Sequence, residues 1–153
     1  MDVKARQYAL KLLSYRGRSV KELEERLRRK GYPETVISST VKYLKRIGLV
    51  DDRILAESLR REAITKKFLS HFGAKKFMLT RGIPREIVDS LFIADKQEDI
   101  ETARKLVEKK LKAMGNPSGG KTKRRLYDFL LRRGYSYETI KAVLKERKFN
   151  GED

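Results

Sequence analysis

A glycine between a basic residue and a tyrosine or isoleucine punctuates this chain three times, as Arg29-Lys30-Gly31-Tyr32-Pro33, Thr80-Arg81-Gly82-Ile83-Pro84 and Arg132-Arg133-Gly134-Tyr135-Ser136. The glycines stand 51 and then 52 residues apart. A period near 50 residues marks a repeated supersecondary unit, which buries its apolar face by stacking on its neighbours. Ser19, Ser70 and Thr122 each precede their glycine by twelve residues and are read as capped helix starts. Ser19-Val20-Lys21-Glu22 has the capping-box pattern, in which hydroxyl and carboxylate each satisfy an orphan amide. The glycine then supplies the positive φ that ends the helix, and Pro33 suits the first turn of the helix after it.

The apolar positions repeat with the same period. Leu23, Ala74 and Leu126 lie eight before the glycine; Leu27, Met78 and Leu130 lie four before; Ile37, Val88 and Ile140 lie six after. These nine are the expected repeat core. In the first unit an earlier helix is predicted to turn Val3, Tyr8, Leu10, Leu12 and Leu13 inward, and a later one Val36, Ile37, Val41, Leu44 and Ile47. Gly48-Leu49-Val50-Asp51-Asp52 and Ala94-Asp95-Lys96 join the units, where an acid can cap the following helix. No alternating pattern suggests a strand. The expected fold is all-α: three tandem three-helix, helix-turn-helix-like repeats over residues 1–50, 51–95 and 96–153, in an elongated, curved arrangement. A Gly-rich loop at 115–120 interrupts the third, and mobility is expected there.

Charged residues make up 39 % of the chain and the net charge is +17. Such an excess predicts a polyanionic or acidic partner. Residues 1–50 carry 13 basic and 5 acidic groups, 51–100 carry 10 and 9, and 101–153 carry 15 and 7, so the ends are basic and the middle nearly neutral. With no cysteine and one histidine, His71, disulfides, thiolate chemistry and a histidine-rich metal site are excluded, and no cofactor or metal is expected. The charged, amphipathic start does not read as a signal peptide, and no apolar run is long enough to span a bilayer. A cytoplasmic location with no membrane partner is expected.

Arg18-Ser19 with Glu22-Leu23 ahead of Lys30-Gly31, the Leu49-Val50-Asp51-Asp52 junction followed by Ala56, and Arg81-Gly82-Ile83 and Arg133-Gly134-Tyr135 in the later units give the chain its likeness. It resembles the RecX family of bacterial recombination regulators over nearly its whole length. The resemblance implies three tandem three-helix units that lodge in the helical groove of the RecA filament on DNA. There they restrain filament growth, strand exchange and the filament's ATPase without chemistry of their own. The chain departs from the family's basic-glycine lead-in to the second middle helix, with Phe68-Leu69-Ser70-His71-Phe72-Gly73 instead.

Candidate contacts with DNA or filament are Arg16, Arg18, Arg26, Arg28, Arg29 and Lys30 in the first unit and Lys121, Lys123, Arg124, Arg125, Arg132 and Arg133 in the third. Cations along a groove neutralise phosphates and release counterions, giving sequence-independent, salt-sensitive binding to single- or double-stranded DNA. The bland alternative is a solvated face that aids solubility. Gly115-Asn116-Pro117-Ser118-Gly119-Gly120-Lys121-Thr122 satisfies the phosphate-loop pattern, but a Lys- and Glu-laced helix precedes it where that chemistry needs a strand. It is read as a loop ending in a Thr122 cap. The helix from Glu34 to Thr40 is too poor in arginines and amides for base readout. Tyr15, Tyr32 and Tyr135 can stack on bases, yet beside a glycine cap packing is the commoner role. Asp51-Asp52 and Asp95 with Glu98-Asp99 are read as caps rather than acid-base pairs, and His71 as structural. A monomeric non-enzyme acting on a RecA filament is the expectation; the rival is a general helical nucleic-acid-binding protein with no RecA target.

Overall fold

A computed structural model of the chain describes residues 2–93, 95–117, 119–147 and 149. Ala94 of the second junction and Ser118 of the Gly-rich loop lie outside them. The described residues form α1 (Val3–Tyr15), α2 (Val20–Arg29), α3 (Glu34–Arg46), α4 (Asp52–Arg61), a π-helical turn (Glu62–Lys66), α5 (His71–Thr80), α6 (Arg85–Ser90), α7 (Lys96–Ala113), α8 (Gly120–Arg132) and α9 (Tyr137–Leu144). No strand occurs among them, and no helix is long and apolar enough to cross a membrane. Two compact units result: unit 1 is Met1–Leu59 with Met78–Leu91, and unit 2 is Arg60–Phe77 with Phe92–Asp153.

All nine periodic apolar positions are buried. Each fully buried Val, Leu, Ile or Met side chain contributes about 1.5–3 kcal/mol, so the repeat positions anchor each core. Unit 1 packs Ala5, Leu27, Ile37 and Val41 in one cluster and Ala9, Leu12, Leu23, Leu44 and Val50 in another. Unit 2 gathers Ala103, Leu106, Val107 and Leu111 from α7 with Leu126 and Leu130 from α8 and Ile140, Val143 and Leu144 from α9.

The expected inward face of α1 holds at Leu12, which is buried, and at Tyr8 and Leu13, which are half-buried against the core, but fails at Val3 and Leu10. Val3 and Leu10 are exposed at 64 % and 38 %, and the buried stripe is Ala5, Ala9 and Leu12, at i, i+4 and i+7. Alanines let α1 approach α3 closely, and they leave the larger Val3 and Leu10 on the opposite side. Ile47 is likewise exposed, because it stands past the last turn of α3.

The three glycines end their helices identically. Gly31, Gly82 and Gly134 have φ of 102°, 86° and 91°. The next amides along, from Tyr32, Ile83 and Tyr135, each donate 3.2 Å to the carbonyls of Leu27, Met78 and Leu130, which closes a Schellman motif. The next helix starts one residue later than expected, since Pro33 and Pro84 are the N-caps of α3 and α6 rather than their first helical residues.

Two of the glycines do more than turn the chain. The Ser19 hydroxyl accepts from the Glu22 amide at 3.1 Å within its own capping box, and donates to the Arg81 carbonyl at 2.7 Å. The Ser70 hydroxyl likewise accepts from the Gly73 amide at 3.0 Å and donates to the Gly134 carbonyl at 2.7 Å. Each cap of one repeat therefore docks on the glycine turn of the next. A Cβ at position 82 would meet Ser19 Oγ at 2.7 Å, and one at 134 would meet Ser70 Oγ at 2.6 Å, whereas at 31 nothing lies within 4 Å. Position 31 needs glycine for its φ alone; positions 82 and 134 need it for φ and for space.

The acidic junctions complete the joint. Asp51 caps α4 by accepting from the Arg53 amide at 2.9 Å, and Asp95 caps α7 by accepting from Gln97 at 3.0 Å, as expected. Their neighbours reach elsewhere. Asp52 accepts from the Val20 amide at 3.0 Å and Asp99 from the His71 amide at 2.9 Å, so each caps the middle helix of the preceding repeat. Burial raises both carboxyls above the usual range, against the lowering effect of those amides.

Thr122 is not a cap. The N-cap lies three residues earlier, at Gly119, and Thr122 is buried inside the first turn of the helix. With α7 directly before it and Lys121 and Thr122 in the first turn of α8, the Gly-rich segment lacks the strand a phosphate loop requires. The departure at Phe68 is accommodated by a left-handed φ of 53°, with its carbonyl accepting from the Tyr135 hydroxyl at 2.8 Å. Tyr135 is thus a buried packing residue, its hydroxyl pushed well above its ordinary range by burial, whereas Tyr15 stays exposed.

Candidate nucleic-acid interface

The basic residues of the first unit converge only in part. Arg16 and Arg18 precede α2, and Arg26 lies on the same helix face as Glu22, one turn on. Arg81, from the next repeat, joins them: its Nε donates to Glu22 Oε2 at 2.9 Å and its guanidinium also reaches the Gly17 carbonyl at 3.0 Å. Arg16 meets the same carboxylate at 3.3 Å. Burial pushes the Glu22 carboxyl up, but hydrogen bonds from Arg81 and the Ser19 amide outweigh it and hold the group below the usual carboxylate range. Arg18 donates to the Leu12 carbonyl at 3.4 Å, and burial with the adjacent charges of Arg16 and Arg26 lowers its guanidinium.

The remaining members stand apart from that cluster. Arg28 is bound two-handed to Glu34 at 2.8 and 3.2 Å. Arg29 and Lys30 are exposed at the end of α2, with Lys30 Nζ 5.3 Å from the centre of the Tyr8 ring.

In unit 2 the sequence-predicted residues divide along α8. Lys121, Lys123 and Arg124 fall within its first five positions, a part of the helix where the dipole disfavours cations and whose first turn holds no acidic residue. Helix stability does not account for them. Arg125 and Arg132 line a cleft of about 240 Å³ with Asp128, Phe129 and, from α7, Lys110. Lys121, Arg125, Asp128 and Arg132 follow one another at i, i+4, i+7 and i+11 on one face of α8. The ion pairs of unit 2 include Arg60 with Glu98, Lys96 with Glu138, Arg104 with Glu146 and Arg147 with Glu108. Among the described residues none takes in Lys110, Arg125 or Arg132.

Arg133 is committed to the repeat joint. It donates to the Lys67 carbonyl, as Arg81 does to Gly17, and its guanidinium stands 4.8 Å from the centre of the Phe129 ring. Lys110 Nζ lies at the same distance from that ring. Sequence reasoning missed Arg81, although it precedes its glycine as Lys30 and Arg133 precede theirs. It also missed Lys110 and Phe129, for which no local signal exists, because the cleft forms only when α7 and α8 are brought into one core with α9.

His71 is structural, as read: its ring nitrogen bonds Glu98, which Arg60 also holds at 2.7 Å, and Phe92 packs edge-on against it at 5.1 Å.

Residues 5–44 match a family model described as RecX, first three-helix domain, and residues 97–144 one described as RecX, third three-helix domain. The chain is 33 % identical over 148 residues to the Regulatory protein RecX of Amycolatopsis mediterranei, covering 94 % of this chain and 85 % of that one. It is 30 % identical over 141 residues to the Regulatory protein RecX of Chlorobaculum tepidum, covering 92 % and 86 %. Its fold is similar to the crystal structure of RecX from Lactobacillus salivarius, with a TM-score of 0.74, 28 % identity and 94 % of each chain covered. With its glycine-punctuated helices, its repeat core and relatives aligned over most of their length, the chain belongs to the RecX family of regulatory proteins.

Proposed function

We propose that this chain regulates recombination by binding in the groove of a RecA filament on DNA, with repeats 1–50, 51–95 and 96–153 as its modules. Family membership supports the regulatory role. The single observation that supports a contact with a polyanion is the excess of cations in the cleft of α7 and α8, where Lys110, Arg125 and Arg132 face the one carboxylate of Asp128. Bridging neighbouring protomers opposes the rotations that accompany ATP turnover and strand exchange, and the difference in affinity between filament states sets the size of the effect. The chain needs no cofactor and carries out no reaction of its own in this scheme. RecA ATPase and filament length on single-stranded DNA, measured with and without the protein, test it. A groove binder restrains filaments even when RecA is loaded first, and loss of the effect under that order of addition would leave a simple competitor for DNA.

A further inference from the structure

We infer that the cleft beside Phe129 binds the phosphodiester backbone of a single nucleic-acid strand, with Lys110 contacting phosphate and Phe129 serving to hold cations in place rather than to stack on bases. This deepens the reading above and rests on it only in placing the chain on DNA.

Charge and position define the ligand. Lys110, Arg125 and Arg132 line a space of about 240 Å³ that contains one carboxylate, Asp128, so the cleft keeps a net positive charge. Three cations sharing one carboxylate repel one another, and an anion relieves that repulsion. A single small anion would leave most of the row unused. Lys121, Arg125 and Arg132 lie on one face of α8 across eleven residues, roughly 16 Å at the rise of an α-helix. Such a row suits a linear polyanion with charges at successive positions.

The ring decides how the strand is read. Lys110 Nζ and the Arg133 guanidinium each stand 4.8 Å from the centre of Phe129. Attraction to the ring's π-system fixes both side chains before a ligand arrives, so less rotamer freedom is lost on binding. Arg133 is held further by the Lys67 carbonyl. A ring already engaged by two cations has little face to offer a base, and binding therefore depends on phosphate alone.

The test is a fluorescence-anisotropy titration of the full chain against labelled oligo-dT and oligo-dA of equal length, without RecA and at several salt concentrations. Lys110→Ala and Arg132→Ala should each weaken binding about tenfold and reduce the slope of log affinity against log salt by about 0.7, the value for one phosphate contact on a single strand. Asp128→Asn should tighten binding. Phe129→Leu should weaken dT and dA equally, about threefold, by loosening Lys110. Unchanged thermal midpoints establish that the variants remain folded.

The inference is overturned if the wild-type chain fails to bind either oligonucleotide, or if Lys110→Ala leaves affinity and slope unchanged. It is also overturned if Phe129→Leu removes a preference for dA, which would mean stacking, or if poly-glutamate displaces the strand at equal charge, which would mean an acidic protein surface. Because RecA is absent, failure here leaves filament regulation standing. Failure of the filament experiment, conversely, leaves this site standing.

Discussion

Nine residues before its glycine, unit 1 has Glu22 and unit 2 has Arg125. On the same turn of equivalent helices, one charge sign builds a joint and the other builds a cleft. Glu22 draws Arg81 and Arg16 onto itself, and the Arg81 guanidinium thereby holds consecutive repeats together. Arg125 puts a cation at that position instead, and lines an open cleft with Lys110, Arg132 and a single carboxylate, Asp128. Two clusters of similar composition thus differ in kind. A count of basic residues does not identify a ligand site; the position of the nearest acid does.

The comparison breaks most visibly at the glycines. Gly82→Ala and Gly134→Ala should each destabilise the fold by about 3 kcal/mol, from the positive φ and the collision with a serine hydroxyl together. Gly31→Ala should cost only about 1 kcal/mol, for φ alone. Urea unfolding of the three variants measures the gap, and equal losses would mean that the hydroxyl contacts do not hold the repeats.

Exchanging the two charges comes next in size. Glu22→Arg should cost about 2 kcal/mol by stranding Arg81 and Arg16 beside a like charge. Arg125→Glu should leave the urea midpoint nearly unchanged while lowering affinity for single-stranded DNA by about tenfold or more. A loss of stability in the second variant would mean that Arg125, too, belongs to a joint.

The effect of pH sharpens the same contrast. Glu22→Gln keeps the capping box, since glutamine also accepts from the N-cap amide, and removes only the charge. A carboxyl held below its ordinary range contributes stability that is full above its unfolded value and lost as pH falls through the folded one. The variant should therefore be less stable than wild type at neutral pH and converge with it in acid. Asp52 and Asp99 work in the opposite sense: their raised carboxyls take up protons more readily in the folded state, which offsets part of the loss as pH falls. Denaturant titrations at neutral pH and below the carboxylate range check the convergence.

The smallest change is expected at Arg28. It is fully exposed and paired with Glu34 on the surface, so Arg28→Ala should shift neither the unfolding midpoint nor the salt slope for DNA.

Much of the fold was legible because the repeat imposes the same local chemistry three times. The Ser19 capping box, the three glycine turns and the nine periodic core positions depend on residues within a dozen positions of one another, where spacing dictates contact. The face of α1 was only partly legible: Tyr8, Leu12 and Leu13 pack on the core as expected, but Ala5 and Ala9 carry a weaker apolar signal than Val3 and Leu10 and yet permit the closer approach. Thr122 matched the pattern of a cap, but Gly119 starts the helix earlier and carries Thr122 inside it.

What the sequence determined alone is where the three glycine turns end their helices, that nine periodic side chains enter the cores, and that the chain's large positive charge gathers at its two ends, because backbone caps and apolar periodicity act locally and charge is a sum. Which arginine is neutralised and which faces a cleft was decided by tertiary structure. Ser19 and Arg81 meet across 62 residues, and Lys110 reaches Phe129 from a different helix. Hydrogen bonds act only at contact and charges near the surface are screened within about 10 Å, so the same guanidinium becomes a joint or a site according to packing that brings distant residues together.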